Sequence, residues 1–304
     1  MIERPRLLVV DPHPDDESLF MGGTLAKYTS IAEIHLLVLS NGEKGRMAVT
    51  SLEKGVIGFR SAEESEETWL AETRKQECLA VAEVLNINPE HVEFAGIPDG
   101  SINMSVIPVI KESIERVDPH IVVSLSEAGT TRPSNSDHSW SGIATFAAIM
   151  SIIEDTYGKL TQQTFKLPSP PPFSLRRFLT YSLTCADKLL DEWAELILSP
   201  DQLTQVDVSW QVNTKLQACR AHTTQGHIVT FFEKAGIINL ASEVFYERIN
   251  LGPSAKGESD ILFGINESIN YLNISSFPEN PSCYSSSDPN FSTTLEKRCL
   301  MVSS

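Results

Sequence analysis

The sequence predicts an α/β fold, in which helices flank a mostly parallel β-sheet. In the first half of the chain, short apolar runs typical of strands alternate with longer stretches whose apolar residues recur at helical spacing. Several of these runs are continuous, as expected for parallel strands that are buried on both faces. The chain has 304 residues, 41% of them hydrophobic and 21% charged, so it has enough apolar surface for a full core.

The first elements follow the order strand, turn, helix, strand. A strand is predicted at residues 7–10, a continuous apolar run, and a helix at 18–28, where apolar residues recur at helical spacing. The next apolar run, 34–39, predicts a second strand that ends in a Ser-Asn-Gly turn. Residues 43–68 are polar, contain glycine and include a cluster of glutamates, so we expect a long surface loop there.

The same alternation continues to the middle of the chain. Strands are predicted at 91–95 and 121–125, helices at 72–85, 105–117 and 140–157, and a polar loop at 126–139. Because the carboxyl ends of parallel strands meet at one edge of a sheet, we expect the loops that follow these strands to carry the functional side chains.

The second half is less regular. Strands are predicted at 178–181 and 206–208 and a helix at 209–221, and we expect these elements to extend the same sheet. Beyond residue 275 the composition shifts to serine, proline and asparagine with little apolar periodicity. We therefore predict one domain over residues 1–275 and a C-terminal tail over 276–304.

Charge and cysteine usage exclude several classes of partner. Lys and Arg number 24 against 40 Asp and Glu, and the formal net charge of −16 repels nucleic acid and anionic lipid. The five cysteines lack CxxC spacing, which is typical of free thiols in a reducing compartment. No segment has the pattern of a signal peptide or a membrane span. We expect a cytoplasmic protein that binds neither nucleic acid nor membranes; the sequence does not specify its oligomeric state.

The most informative segment is residues 11–17, Asp-Pro-His-Pro-Asp-Asp-Glu, between the first predicted strand and the first helix. This turn is expected to open into the ligand-binding crevice of the sheet. One acid can cap the helix, but capping leaves His13 and two further acids unexplained. Several carboxylates in one turn repel each other unless a cation lies among them. Imidazole and carboxylate together suit zinc, which in catalytic sites has three protein ligands and one open position.

A further ligand is expected from the loop before the helix at 140–157. That loop contains Asn-Ser-Asp-His at 135–138, and His138 follows the carboxyl end of another strand, from which it can face His13. Its neighbour Asp137 is either an acceptor for a ligand imidazole or a loop cap. The residues alone do not decide whether Asp15 or Asp16 binds the metal.

These motifs resemble the LmbE-like (PIG-L) family of metal-dependent N-deacetylases. The resemblance rests first on His-Pro-Asp-Asp-Glu at 13–17, on Gly-Gly-Thr-Leu at 22–25 and on Asp-His at 137–138. Weaker matches, spread between residues 7 and 245, are 40–43, 74–77, 98–100 and 215–225. The resemblance implies a Rossmann-like sheet in a three-layer α/β/α arrangement. It also implies zinc, with Fe2+ or Co2+ as alternatives, held by His13, Asp16 and His138, and it assigns Asp15 as the general base.

The resemblance also suggests substrate contacts. Arg74 and Asp99 match positions that face a sugar in the family, and these side chains can bind hydroxyl or phosphate groups. The alternative for Arg74 is an ion pair with Glu77 on its own helix.

One position departs from the family pattern. Asn135 stands where many relatives have a histidine, three residues before the ligand histidine. An asparagine can donate a hydrogen bond to the oxyanion but cannot carry a proton at neutral pH. Our hypothesis is that Asp15, once protonated, returns the proton to the leaving amine, with His222 as an assistant.

The expected function is a zinc-dependent N-deacetylase whose substrate is an N-acetylated amino sugar or amino-sugar conjugate. Two alternatives within the family remain open: an amidase that acts on cysteine or thiol conjugates, and a non-catalytic sugar-binding relative. A third alternative is a non-haem Fe(II) oxygenase, because His13, Asp15 and a distant histidine also spell the facial triad. Such triads usually lie on double-stranded β-helices, which the alternating βα pattern disfavours.

Overall fold

A computed structural model of the chain describes residues 4–51, 56–126, 136–157, 173–181, 203–226, 242–251 and 273–274. Its strands are β1 Arg6–Asp11, β2 Glu33–Ser40, β3 Arg46–Ser51, β4 Val56–Ser61, β5 Val92–Ile97, β6 Ile121–Leu125, β7 Arg177–Tyr181, β8 Leu203–Asp207, β9 Ser242–Asn250 and β10 Asn273–Ile274. Its α-helices, numbered in chain order among the described residues, are α1 Asp16–Tyr28, α2 Glu67–Val84, α3 Ile107–Val117, α4 Ser136–Tyr157 and α5 Val212–Ala221.

The main sheet is mostly parallel, as predicted. Its described strands have the order β10-β9-β7-β6-β1-β2-β5, and β8 also pairs with β9. The five strands from β7 to β5 are parallel, whereas β9 runs antiparallel to β7, β8 and β10. The strand order reverses direction around β1, so the crevice at the carboxyl end of β1 is where an α/β sheet binds its ligands.

Helices cover both faces of this sheet. In β1, Leu7 and Val9 belong to a core that includes residues of α1, α2 and α5, whereas Leu8 and Val10 belong to a second core with residues of α3 and α4. This alternation is the period of two that a strand imposes on its side chains. Each fully buried Leu or Val contributes about 1.5–3 kcal/mol. The predicted three-layer α/β/α arrangement is confirmed, and the β-helix of an Fe(II) oxygenase is excluded.

The structure differs from the predicted elements at four places, of which one is the unpredicted two-residue strand β10. The stretch predicted to be a loop, 43–68, contains an antiparallel hairpin of β3 and β4, and its end already belongs to α2. This hairpin forms a sheet of its own, and its apolar runs, Met-Ala-Val at 47–49 and Val-Ile at 56–57, are short and lie among polar residues and glycines. Helix α4 begins at Ser136, so His138 lies in its first turn rather than in a loop. Strand β9 was not predicted, because charged residues interrupt its apolar pattern.

The parallel order brings distant parts of the chain to one edge of the sheet. Strands β1, β2, β5 and β6 all end there, and the segments after β1, β5 and β6 carry His13, Asp15, Asp16, Asp99 and His138. Arg74 lies in α2, and His222 follows α5. Among the described residues, no helix is long and apolar enough to cross a membrane. The predicted tail, 276–304, lies outside the described residues, and the domain boundary stays a prediction.

Candidate active site

The turn between β1 and α1 has an unusual backbone at Asp15. Its φ of 132° and ψ of −26° lie outside the regions that L-residues ordinarily adopt. Asp15 is the N-cap residue of α1, yet its side chain makes no capping hydrogen bond. The neighbouring carboxylate of Asp16 is also engaged elsewhere, because its Oδ2 accepts the backbone N–H of His13 at 3.2 Å. Helix capping by these two acids therefore does not account for the motif.

Three donor atoms converge beside this turn. His13 Nδ1 lies 3.1 Å from His138 Nε2, and Asp16 Oδ2 lies 3.5 Å from the first nitrogen and 3.7 Å from the second. Tetrahedral zinc with bonds of roughly 2.0–2.1 Å separates its ligand atoms by about 3.3 Å, close to these spacings. The two imidazole planes are tilted by 55°, so their in-plane lone pairs can meet at one point. The three predicted ligands therefore fit a divalent metal ion.

Electrostatics also favour a cation at this position. Burial would lower the pKa of His13, but the carboxylates of Asp137, Asp16 and Asp99 outweigh it and raise that pKa well above its ordinary value. Burial would raise the pKa of Asp16, but the imidazoles of His138 and His13 lower it. Burial lowers the pKa of His138, and Asp16 only partly offsets this effect. The carboxylates thus stabilise positive charge between them, a role that a bound metal ion fills.

Two further carboxylates surround the far side of the His13 ring. His13 Nε2 lies 3.3 Å from Asp99 Oδ1 and 3.5 Å from Asp137 Oδ2. Asp137 is fully buried and also accepts the backbone N–H groups of Gly100 at 2.7 Å and Ile102 at 3.2 Å. Asp137 therefore ties the loop after β5 to α4, and both carboxylates can orient the imidazole. The predicted substrate contact of Asp99 stays a prediction.

Arg74 of α2 lies against Asp15. Its Nη2 is 3.0 Å from Asp15 Oδ1, its Nη1 donates to the carbonyl of Gly42 at 2.9 Å, and Nη2 also donates to the carbonyl of Pro14. The residue is only 3% exposed. Its partner is therefore Asp15 rather than Glu77, and its predicted role in substrate binding stays a prediction. Burial raises the pKa of Asp15 to about 7, although the Arg74 guanidinium opposes the shift.

His222, which follows α5, also lies close to the β1–α1 turn, where it contacts Glu17 in the first turn of α1. The residue is 1% exposed, and its Nε2 lies 2.7 Å from Glu17 Oε1. The catalytic assistance predicted for His222 stays a prediction. Asn135 lies outside the described residues. Tyr181, which sequence reasoning did not identify, donates a hydrogen bond to Asp11, and burial raises the pKa of that acid well above its usual value. No motif in the sequence marked Tyr181.

Two groups of possible metal ligands in the described residues include His13, one with Asp16 and His138 and one with Asp99 and Asp137. A third group is formed by Glu33, His35 and His91 at the opposite edge of the sheet. The rings of His35 and His91 are stacked, with centroids 4.1 Å apart and planes 14° apart. The lone pair of an imidazole nitrogen lies in the ring plane, and nearly parallel planes do not meet near either ring. His35 Nε2 is also already 2.7 Å from the Glu33 carboxylate. This group is therefore a poorer metal site than the one at His13.

Comparisons with known proteins show which family and which relatives the chain resembles. The family described as GlcNAc-PI de-N-acetylase, PIG-L, matches residues 8–149. The 1D-myo-inositol 2-acetamido-2-deoxy-alpha-D-glucopyranoside deacetylase of Mycolicibacterium smegmatis is 28% identical over 252 residues, which are 73% of this chain and 81% of the relative.

Two solved structures share the fold. The N,N'-diacetylchitobiose deacetylase of Pyrococcus horikoshii aligns with a TM-score of 0.54 and 18% identity over 81% of this chain and 84% of its own. GalB, the 4-carboxy-2-hydroxymuconate hydratase of Pseudomonas putida, aligns with a TM-score of 0.55 and 21% identity over 80% of this chain and 95% of its own. At these identities the likeness concerns the fold. Residues 8–149 therefore match the PIG-L (LmbE-like) family, and the sequence motifs of the β1–α1 turn lie within this range.

Proposed function

We propose that this protein is a metal-dependent N-deacetylase that hydrolyses the amide of an N-acetylated amino sugar or amino-sugar conjugate. The observation that carries the proposal is the convergence of His13 Nδ1, Asp16 Oδ2 and His138 Nε2, with the carboxyl group of Asp15 next to a ligand residue in the chain. The family match at residues 8–149 and the deacetylase of M. smegmatis support the reaction class and the substrate class.

The donor set suits zinc, and Fe2+ or Co2+ are the alternatives. Zinc held by two imidazoles and a carboxylate lowers the pKa of a bound water toward about 7 and polarises carbonyl groups. A residue that does not bind the metal must take the proton from the attacking water. Asp15 can do so, because its neighbour Asp16 supplies the ligand oxygen and Arg74 holds Asp15 Oδ1 at 3.0 Å. Adjacent acids thus have separate tasks.

Asp15 also suits the second proton transfer. After accepting the proton of water, its carboxyl group can donate that proton to the nitrogen of the departing amine. In the metal-free protein, burial raises the pKa of Asp15 to about 7, so this carboxyl group can hold a proton near neutral pH. Asp137 and Asp99 would keep the His13 ring in the orientation that directs Nδ1 at the metal.

The fold alone does not determine the reaction, because one solved relative bears the name of a hydratase. The test is therefore acetate release by metal-depleted protein and by protein reconstituted with zinc, iron(II) or cobalt. The substrates are N-acetylglucosamine, its inositol and nucleoside-diphosphate conjugates, and N-acetylcysteine adducts. The proposal expects metal-dependent release of acetate from at least one sugar compound. Cleavage of only the cysteine adducts would indicate the alternative amidase, and binding of sugars without cleavage would indicate the non-catalytic relative.

A variant pair tests the role of the base. Asp15→Asn is expected to lower kcat by about 10²–10⁴-fold, the usual contribution of general acid–base catalysis. Asp155→Asn is the matched control, because the Asp155 side chain is 64% exposed near the end of α4. If the two variants have the same kcat, Asp15 is not the base.

A further inference from the structure

A buried ion pair links the metal-binding turn to the second half of the chain. Glu17 is 0% exposed and His222 is 1% exposed, and His222 Nε2 lies 2.7 Å from Glu17 Oε1. The two residues are 205 positions apart in the sequence. Burying charged groups is expensive unless they are paired, so a pair retained at this depth needs a structural or functional reason.

The second carboxylate oxygen of Glu17 forms a hydrogen bond with the backbone of Asp15. Glu17 Oε2 accepts the backbone N–H of Asp15 at 3.0 Å. This is the residue whose φ of 132° is unfavourable for any residue except glycine. A backbone in such a region costs about 1–3 kcal/mol and persists only where the surroundings impose it. One carboxylate therefore connects the imidazole of His222 to the strained peptide of Asp15.

The segment that carries His222 is itself fixed. The Thr223 and Thr224 hydroxyls and the Thr224 backbone N–H all donate to the carboxylate of Glu77 on α2, at 2.5–2.7 Å. The Gln225 amide donates to the carbonyl of Arg46 at 3.0 Å. His222 thus belongs to a turn that is tied to α2 and to the β3–β4 hairpin. Its position is determined by these contacts rather than by Glu17 alone.

We propose that Glu17 and His222 are positioning residues that hold the backbone of Asp15 in its strained conformation. This inference rests on the proposed function, in which Asp15 is the general base. It is an alternative to the assistance in proton transfer predicted for His222, and it is favoured by the 1% exposure of His222 and by its pairing with Glu17. Displacing a catalytic group by about 1 Å can cost roughly 10²-fold in rate.

The test compares three variants of metal-saturated, full-length protein. His222→Gln keeps an N–H donor near the position of Nε2, and kcat is expected to stay within about threefold of wild type. His222→Leu removes the donor, and kcat is expected to fall about 10–100-fold while KM changes less than about twofold. If that variant fails to fold because Glu17 is left buried and unpaired, Glu17→Gln combined with His222→Leu removes the charge as well, with the same loss of kcat expected.

Two further measurements separate positioning from general damage. In an Asp15→Asn background, His222→Leu is expected to leave the residual rate unchanged within about twofold, because its effect passes through the missing base. In metal-free protein, hydrogen exchange of a peptide spanning residues 12–20 is expected to rise in His222→Leu but not in His222→Gln. The proposal is overturned if the residual rate falls a further tenfold, or if exchange at Asp15 is unchanged. The exchange result stands even if wild type releases no acetate, an outcome that would refute the proposed function alone.

Discussion

Gly42 offers a sharp test of how Arg74 is held. Gly42 begins the turn after β2 that the Gly45 N–H closes on its carbonyl. Its φ of +65° is a conformation that costs other L-residues about 1–2 kcal/mol. A Cβ added there would lie 2.6 Å from Arg74 Cζ and closer still to Nη1. Gly42→Ala must therefore push the guanidinium away from the carbonyls of Gly42 and Pro14 and from Asp15.

The expected loss of stability follows from these contacts. A hydrogen bond to a charged group contributes about 1.5–3 kcal/mol, so losing one of them in addition to the backbone strain gives about 2.5–5 kcal/mol for Gly42→Ala. Gly96→Ala is the matched control. Its φ of +68° imposes the same strain, but nothing lies within 4 Å of the added Cβ, so only about 1–2 kcal/mol is expected.

Urea denaturation of the metal-free variants measures both losses. Acetate release by the reconstituted proteins then tests the link to catalysis, because displacing Arg74 also frees Asp15 Oδ1. Gly42→Ala is expected to lower kcat at least tenfold, and Gly96→Ala less than twofold. Equal stabilities and equal rates for the two variants would refute the role assigned to Arg74.

Three further outcomes are expected. His13→Ala should lose bound metal by mass spectrometric metal analysis while His35→Ala retains it, and equal losses would show that the stacked imidazoles bind the ion instead. In metal-free protein, the raised pKa of Asp15 means that ionising this buried acid destabilises the fold increasingly as pH rises from about 4 to 7. The free energy of unfolding of Asp15→Asn should therefore rise relative to that of wild type over this range, by at most about 1.4 kcal/mol per pH unit in chemical denaturation. Parallel pH profiles of the two proteins would contradict this. Lys215→Met breaks a 2.6 Å ion pair buried with Glu243 and should cost about 3–5 kcal/mol in the same assay; a loss below about 1 kcal/mol would contradict that account.

Sequence patterns were sufficient to predict the elements whose structure depends on the residues of one short segment. The apolar runs predicted β1, β2 and β6 to within about one residue at each end, because strands buried on both faces leave a continuous hydrophobic signal. The position of His13 and His138 after two parallel strands was enough to predict that they meet, and their nitrogens are 3.1 Å apart. The choice of Asp16 over Asp15 as a ligand needed the family resemblance.

Contacts that depend on how the helices pack were not predictable. Arg74 was expected to face substrate or pair along its helix, yet it contacts Asp15 because the packing of α2 brings the guanidinium to the β1–α1 turn. The Glu17–His222 pair depends in the same way on how α5 packs against α1 and α2. The β3–β4 hairpin was not predicted because its short apolar runs lie within a stretch rich in glycine and charged residues. Such contacts depend on the tertiary packing of elements, which the periodicity of one segment does not encode.

The central claim is that His13, Asp16 and His138 bind one divalent ion beside Asp15. The most direct test is a crystal structure of zinc-loaded protein with anomalous scattering data collected on both sides of the zinc edge. The account expects a strong peak about 2.0–2.2 Å from His13 Nδ1, Asp16 Oδ2 and His138 Nε2. A peak at Glu33, His35 and His91 alone, or imidazoles of His13 and His138 that do not share an ion, would contradict it.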